Sequence, residues 1–309
     1  MNPVNSVSPL FLAGPTAVGK SEIALRLAET IGGEIISVDS MQVYRGLDIG
    51  TAKPSAEERA RVPHHLIDVA ELHEPFDAAR FIELAGRAVA EIQARRRVPI
   101  FCGGTGLYFK AFLEGLGEAP PSDTRLRAEL EATPLAELLR ELAQRDPATF
   151  EKIDRQNPRR VVRAMEVIRL TGKPFSAQRA EWQSKVQSPT SKVIFALTRK
   201  PEELHRRIEL RVDEMFRRGL VEETHCLLGL GLEQNRTAMQ AIGYRQVVEQ
   251  LRGERSLPET IELVKIKTRQ FAKRQMTWFR RQLNPTWMEL PSNDPTSAVA
   301  ALAKEMDRR

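Results

Sequence analysis

The chain has 309 residues, room for one large or two modest domains, and its 41% hydrophobic and 28% charged content is that of a soluble globular protein. Two cysteines, Cys102 and Cys226, exclude a disulfide framework and a zinc cluster; no apolar run reaches membrane-spanning length, and residues 1–9 lack the basic start and apolar core of a secretory signal. A cytoplasmic protein without a membrane partner is expected, and a net charge of +6 points to nucleic acid only if the cations cluster.

In chain order, Leu10-Phe11-Leu12-Ala13 predicts a strand. It runs into Gly14-Pro15-Thr16-Ala17-Val18-Gly19-Lys20-Ser21, which fits G-x-x-x-x-G-K-[ST], the phosphate-binding P-loop. Glu22 to Thr30 follows as a helical run without Gly or Pro, so strand, Gly-rich turn and helix come in the order the motif needs. Gly14 and Gly19 let the backbone wrap an anion at the positive end of the helix dipole. Lys20 adds a cation and Ser21 a hydroxyl suited to Mg²⁺. The pattern leaves the polyphosphate unnamed, nucleoside triphosphate being only the default.

Glu34 to Asp39 predicts a buried strand ending in an acid. Three roles stay open for Asp39: a Walker B ligand to Mg²⁺, a general base toward an acceptor, or a cap of the next turn. Ser40 to Tyr44 and Ile49 to Pro54 are loop-like, and Leu66 to Val69 predicts another strand. His64 and His65 are adjacent, point apart and lack a third ligand, so they are assigned to structure. Residues 77–95 have helical spacing, with Phe81, Leu84, Ala88 and Ile92 on one face. Val98 to Cys102 is again a strand, with Cys102 in the core. Gly103-Gly104-Thr105-Gly106 after it is either a close approach to ligand, with the Thr105 hydroxyl donating, or a plain turn. Strands alternating with helices predict an α/β fold, a P-loop-type parallel sheet flanked by helices, with ligands at the carboxyl ends of the strands. Gly14, Asp39 and Gly103 are therefore expected to converge.

Gly117 to Asp123 is rich in Pro and small residues, a hinge, and helical runs at 123–132, 134–145 and 158–171 follow without a strand. Residues 117–190 are expected to form an inserted all-helical domain, and 1–116 with 191–309 the core. Ser191 to Leu197 predicts a strand, 201–217 a helix, 219–282 mostly helix, Trp287 to Leu290 a last strand and 294–307 a closing helix. Two segments are basic. Asn157-Pro158-Arg159-Arg160-Val161-Val162-Arg163 opens a helix with Arg159 and Arg163 on one face. Lys265 to Arg281 holds seven cations and no acid, with Gln270, Gln275, Trp278 and Phe279 interleaved. Such a run needs anions nearby, of which phosphate backbone is the commonest. From these features alone an RNA-binding P-loop protein, or a small-molecule or nucleotide kinase with 117–190 as its lid, remains possible.

Gly14 to Ser21, Asp39 to Tyr44, Ile49 to Pro54, Pro63 to Asp68, Gly103 to Tyr108, Asn157 to Arg163, Ala241 to Arg245 and Lys273 to Arg280 together resemble the tRNA dimethylallyltransferase (tRNA isopentenyltransferase) family, in order, over residues 10 to about 282. Val18 stands where the family often has Ser. The absence of a cysteine-rich C-terminal extension resembles the short bacterial form. The resemblance implies transfer of a dimethylallyl group from dimethylallyl diphosphate to N6 of adenosine 37 in tRNA, next to the anticodon. It implies that Gly14 to Ser21, with Mg²⁺ and Arg211, hold the diphosphate, and that Asp39 takes the proton from N6. Thr105 would orient reactants or bind the bridging oxygen, and the adenine would flip out of its stack to be reached. Asp39, Ser40, Met41 and Gln42 would line the base pocket. Thr105, Arg127, Arg159, Arg160, Val161, Val162, Arg163, Gln240, Ala241, Ile242, Gly243, Tyr244, Arg245, Lys273, Arg274, Gln275, Met276, Thr277, Trp278, Phe279 and Arg280 would meet the tRNA, the insertion clamping its anticodon stem-loop. A monomer is expected. A kinase would instead use ATP, and an enzyme acting on free adenine nucleotides would need no RNA-sized basic surface.

Overall fold

The computed structural model describes residues 7–116, 120–178, 193–290 and 295–307. Positions 117–119 of the expected hinge, 191–192 of the expected strand and most of the N-terminal stretch read for a signal lie outside them. The chain divides into two compact units, Met1–Phe112 with Ser188–Arg309, and Leu113–Gln187.

The first unit is built on a parallel sheet. Its strands are β1 (Leu10–Ala13), β2 (Gly33–Val38), β3 (His64–His65), β4 (Val98–Gly103), β5 (Ile194–Thr198) and β6 (Thr286–Glu289), in the order β3-β2-β4-β1-β5-β6. Every residue of β1 and β2 is buried, as expected of strands covered by helices on both faces. The register decides where the site can be. Ala13 and Val38 both pair with Gly103, so the chain leaves β2, β4 and β1 at one level, side by side. Glu34, the one acid within β2, lies near the other end of that strand, 4% exposed and held by His65 (2.8 Å) and Arg95 (2.8 Å). His64 Nδ1 contacts the Val62 carbonyl at 2.7 Å.

The strand expected at Leu66 to Val69 is displaced to His64–His65. Leu66 and Asp68 have φ of +61° and +57°, the left-handed region that ends a strand. Asp68 is turned toward Lys53 (2.5 Å) and Arg59 (2.8 Å); burial would raise its carboxyl, but these two cations hold it below the usual range. Helices are set by caps and apolar stripes. Asp77 caps Ala78–Ala94, accepting from the amides of Ala79 and Arg80. Pro201 opens Pro201–Arg217, and Ser256 and Glu259 form the capping box of Leu257–Gln282. In that last helix Thr260, Val264, Thr268, Ala272, Gln275 and Phe279 form the buried stripe. Pro295–Asp307 packs Ala298, Val299 and Leu302 into the same cluster as Ile23, Ala24 and Leu27. Among the described residues no helix is long and apolar enough to cross a membrane.

The second unit is helical: Thr124–Ala132, Leu135–Arg145, Pro147–Lys152, Pro158–Thr171 and Phe175–Gln178. Its core is Leu130, Leu138, Leu142, Val161, Val162, Ala164, Met165 and Ile168. The short helix Pro147–Lys152 was not expected; Asp146 caps it and also accepts from the amide and hydroxyl of Ser176.

Candidate active site

The loop after β1 takes a path that glycine makes possible. Gly14 has φ +153°, and a Cβ there would stand 2.9 Å from the Leu197 carbonyl oxygen of β5. Gly19, at φ +106°, caps Lys20–Ile31 without a side-chain acceptor, so the first-turn amides point at whatever anion the loop holds. Pro15 contributes a carbonyl to the Lys20 ammonium at 2.7 Å. Val18 is fully buried in the core, so its side chain faces away from any anion the loop holds. Thr16 and Ala17 are half-buried and Ser21 is exposed at the loop mouth. Burial pushes the Lys20 ammonium down to about 8, Arg211 adding to the effect while Cys102 and Asp39 oppose it. Burial likewise pushes the Cys102 thiol up to about 11.

Asp39 emerges directly after β2. Its Oδ1 accepts from the amides of Met41 (2.8 Å) and Gln42 (3.3 Å), so the capping role is present. The Thr105 hydroxyl accepts from the Ser40 amide at 3.1 Å, which joins the ends of β2 and β4. Gln42 spends its side-chain amide on the fold. It accepts from Ser37 Oγ (2.8 Å) and donates to the carbonyl of Thr51 (3.2 Å). The structure thus brings together the loop Gly14–Ser21, Asp39 and Thr105 on three neighbouring strands.

Three arginines complete the surroundings. Arg211 Nη2 donates to the Thr51 carbonyl at 3.4 Å, while its Nε is buried with no hydrogen-bond partner. An unsatisfied buried guanidinium N–H is costly, and an anion in the loop would answer it. Burial and the neighbouring Arg207 lower the Arg211 pKa, against the pull of Asp39. Arg207 Nε donates to the Ala17 carbonyl (2.9 Å) and Arg199 Nε to the Val18 carbonyl (2.8 Å). The two arginines thus tie down consecutive carbonyls of the loop. Sequence reasoning missed Arg199 and Arg207. The available signal was the i, i+4 spacing of Arg207 and Arg211 on one helix, and the place of Arg199 just past the end of β5.

The glycines of the second Gly-rich turn are required by the fold itself. A Cβ on Gly103 would lie 2.1 Å from the Val38 carbonyl oxygen, one on Gly104 2.4 Å from Gln275 Nε2, and one on Gly106 2.1 Å from the Trp278 ring. These glycines admit β2 and the helix Leu257–Gln282. Gln275, 7% exposed, accepts from the Thr16 amide (2.8 Å) and donates to the Gly104 carbonyl (3.0 Å), bracing the P-loop from the basic helix. Gly106→Ala is expected to cost about 1–3 kcal/mol in a urea titration, because the indole must move; an unchanged midpoint would show that Trp278 is not fixed there.

Of the residues expected to meet RNA, Val161, Val162, Ala241, Gly243, Tyr244, Gln275 and Phe279 are buried, which corrects those assignments, while Arg127 and Arg163 stay part-exposed. Val161 and Val162 are core residues of the helical unit. Arg127 and Arg163 both bond to Glu166, at 2.6 and 2.7 Å. Burial would raise the Glu166 carboxyl, but Arg163, Arg127 and Ser122 hold it below the usual range. Arg159 and Arg160 remain exposed. In the next block Ala241, Gly243 and Tyr244 are buried; the Tyr244 hydroxyl donates to Glu223 (2.6 Å) and accepts from the Gly50 amide (3.1 Å). Ile242 is half-buried, and Gln240 and Arg245 are exposed. On the basic helix Gln275 and Phe279 are buried, Met276 and Trp278 half-buried, and Lys273, Arg274, Thr277 and Arg280 exposed. The anions this helix requires are partly its own protein's: Lys265 pairs with Asp213 and Glu262, and Arg269 with Glu209.

A glycine-rich loop and Lys20 at the head of a parallel sheet define an α/β protein of the P-loop type. The family profile described as IPP transferase matches residues 42–282, and the chain belongs to that family. It is 46% identical over 291 residues to tRNA dimethylallyltransferase 1 of Citrifermentans bemidjiense, covering 94% of each chain. To the tRNA dimethylallyltransferase of Geobacter metallireducens it is 48% identical, covering 91% of this chain and 92% of that one. Among solved structures it is similar to the tRNA isopentenylpyrophosphate transferase of Bacillus halodurans, with TM-score 0.73, 38% identity, and 98% and 96% of the two chains covered. It is also similar to a eukaryotic dimethylallyltransferase described as acting on tRNA, with TM-score 0.81, 29% identity, and 97% and 80% covered.

Proposed function

We propose that this chain is a tRNA dimethylallyltransferase, moving the dimethylallyl group of dimethylallyl diphosphate to N6 of adenosine 37. The observation that carries this reading is the placing of a P-loop, Asp39 and Thr105 at three adjacent strand ends in a chain of the IPP transferase family. Lys20, Arg211 and the loop amides hold the diphosphate and stabilise the charge it gathers as the allylic C–O bond breaks. The N6 nitrogen forms the new bond to that carbon, and Asp39 accepts its proton. Thr105, tied to Ser40, keeps the ends of β2 and β4 in register around the two reactants.

Among the described residues no group of three His, Cys, Asp or Glu could hold a metal. Ser21 with substrate phosphate oxygens and water fits Mg²⁺, which usually keeps several waters and binds through substrate phosphates. Bound there, Mg²⁺ would neutralise diphosphate charge. We propose a cytoplasmic monomer as the working form. The similarity to tRNA dimethylallyltransferases leaves the kinase reading without support.

Labelled dimethylallyl diphosphate incubated with the protein and bulk tRNA should yield labelled tRNA, and ATP in its place should yield no transfer; the reverse would overturn the reading. The exposed cations give a second expectation. Lys273→Ala, Arg274→Ala or Arg280→Ala should each weaken tRNA binding and flatten its log K against log salt slope by somewhat under about one unit. Folding stability should stay within about 0.5 kcal/mol, and affinity for the diphosphate should hold. An unchanged slope with a lowered melting temperature would place the RNA elsewhere.

A further inference from the structure

A cavity of about 420 Å³ lies between the helices Tyr244–Leu251 and Leu257–Gln282, within the range of small-ligand pockets. It contains no residue of the P-loop and neither Asp39 nor Thr105. Its walls have two characters. Ile242 and Leu263 are aliphatic, and Ile242 packs on the cluster of Ile208 and Val212 that also takes in Ala17 of the loop. Arg245, Arg255, Lys267 and Arg274 are cationic. One carboxylate, Glu249, bonds to both Arg245 (3.0 Å) and Arg255. Four cations against one acid leave an excess of three positive charges, and Lys267 and Arg274 are exposed at the rim.

Aliphatic walls beside excess cations suit a ligand with a flat, weakly polar part and an anionic part. A free phosphate would leave Ile242 and Leu263 uncovered, and an apolar ligand would leave the cations unanswered. A nucleotide meets both demands, its base against the aliphatic side chains and its phosphate at Lys267 and Arg274. Lys273 and Arg280, further along the same helix, are exposed as well, cations suited to a phosphate backbone. We infer that this cavity receives one unpaired nucleotide of the RNA substrate other than the adenosine that is modified. The inference rests on the proposed function and adds a second base-holding subsite to it. The cavity then fixes where the loop of the RNA lies, and so which adenosine reaches Asp39.

The test uses a stem-loop RNA bearing the target adenosine, with an abasic residue placed at each other loop position in turn. Leu263→Trp fills the cavity, and Lys267→Gln, at an exposed position, removes a rim charge while keeping the fold. Leu263→Trp is expected to weaken stem-loop affinity about tenfold, the scale of one seated base. One abasic position should weaken wild type by a similar factor and the Leu263→Trp protein by little more, the signature of coupled sites. Lys267→Gln should weaken binding and flatten the salt slope while leaving that abasic coupling in place. The inference is overturned if Leu263→Trp binds the stem-loop as wild type does. It is also overturned if no abasic position couples to Leu263→Trp. Adenosine monophosphate bound by wild type and lost in Leu263→Trp, with stem-loop affinity unchanged, would overturn it in favour of a free nucleotide. In each of these cases continued prenyl transfer to tRNA would leave the proposed function standing, whereas wild-type protein that neither binds nor modifies the stem-loop would end both.

Discussion

Asp39→Ala is expected to lower turnover by about 10²–10⁴-fold while tRNA affinity holds, the usual loss on removing a positioned general base. The aspartate has a second duty, since its Oδ1 caps the turn at Met41 and Gln42. Losing that cap costs about 1 kcal/mol and would loosen the β2 end. Asp39→Asn separates the duties, because the amide oxygen can still accept from both backbone groups yet cannot take a proton at neutral pH. Both variants should therefore show the large fall in kcat, and only the alanine variant a lowered melting temperature. Near-normal turnover in Asp39→Asn would remove the general-base role. A collapse in Mg²⁺ affinity with residual turnover restored by high Mg²⁺ would favour the metal-ligand role instead.

Lys20→Ala is expected to lower kcat/KM for dimethylallyl diphosphate by about 10²–10³-fold, the cost of removing one preorganised donor to a developing anion. Stem-loop affinity should change far less. The pH profile follows from the same residue. With its ammonium pushed down to about 8, Lys20 in the free protein loses its charge as pH rises through that value, and the charged form is the one that binds an anion. Wild-type kcat/KM for the diphosphate should thus fall above about pH 8. Lys20→Arg, which stays charged, should keep a flatter profile at whatever activity it retains. A wild-type profile flat to pH 10 would show that the ammonium is not the titrating donor.

The elements that position the site were legible because local chemistry marks them. Pro201 opens the helix Pro201–Arg217, the apolar strand before the P-loop is fully buried, and Asp39 stands one residue past β2. What escaped notice has no local mark. A two-residue strand at His64–His65 carries no periodicity, and the left-handed Leu66 and Asp68 carry no glycine to announce them. Arg199 and Arg207 act on loop carbonyls about 180 residues earlier, a relation visible only once the sheet is assembled. Blocks carried over as continuous strings also mix the two faces of a helix. Arg159 and Arg160 reach solvent while Val161 and Val162, one step on, fill the core. The run of seven cations likewise divides: Lys265 and Arg269 answer acids, Asp213 and Glu209 among them, and Lys273, Arg274, Arg280 and Arg281 face outward.

The bridge from Gln275 to the Thr16 amide and the Gly104 carbonyl has a consequence for any attempt at dissection. The phosphate loop is formed within the first 21 residues, yet one of its amides is held from a position 259 residues later in the chain. A fragment that stops before the last turns of Leu257–Gln282 would keep the whole P-loop motif and lose a wall of its binding site. Shortening this protein to a minimal strand–loop–helix unit should therefore yield a motif without a function, and recombination with a related chain should succeed only where a glutamine is kept at position 275, since the bond it makes is to a backbone amide.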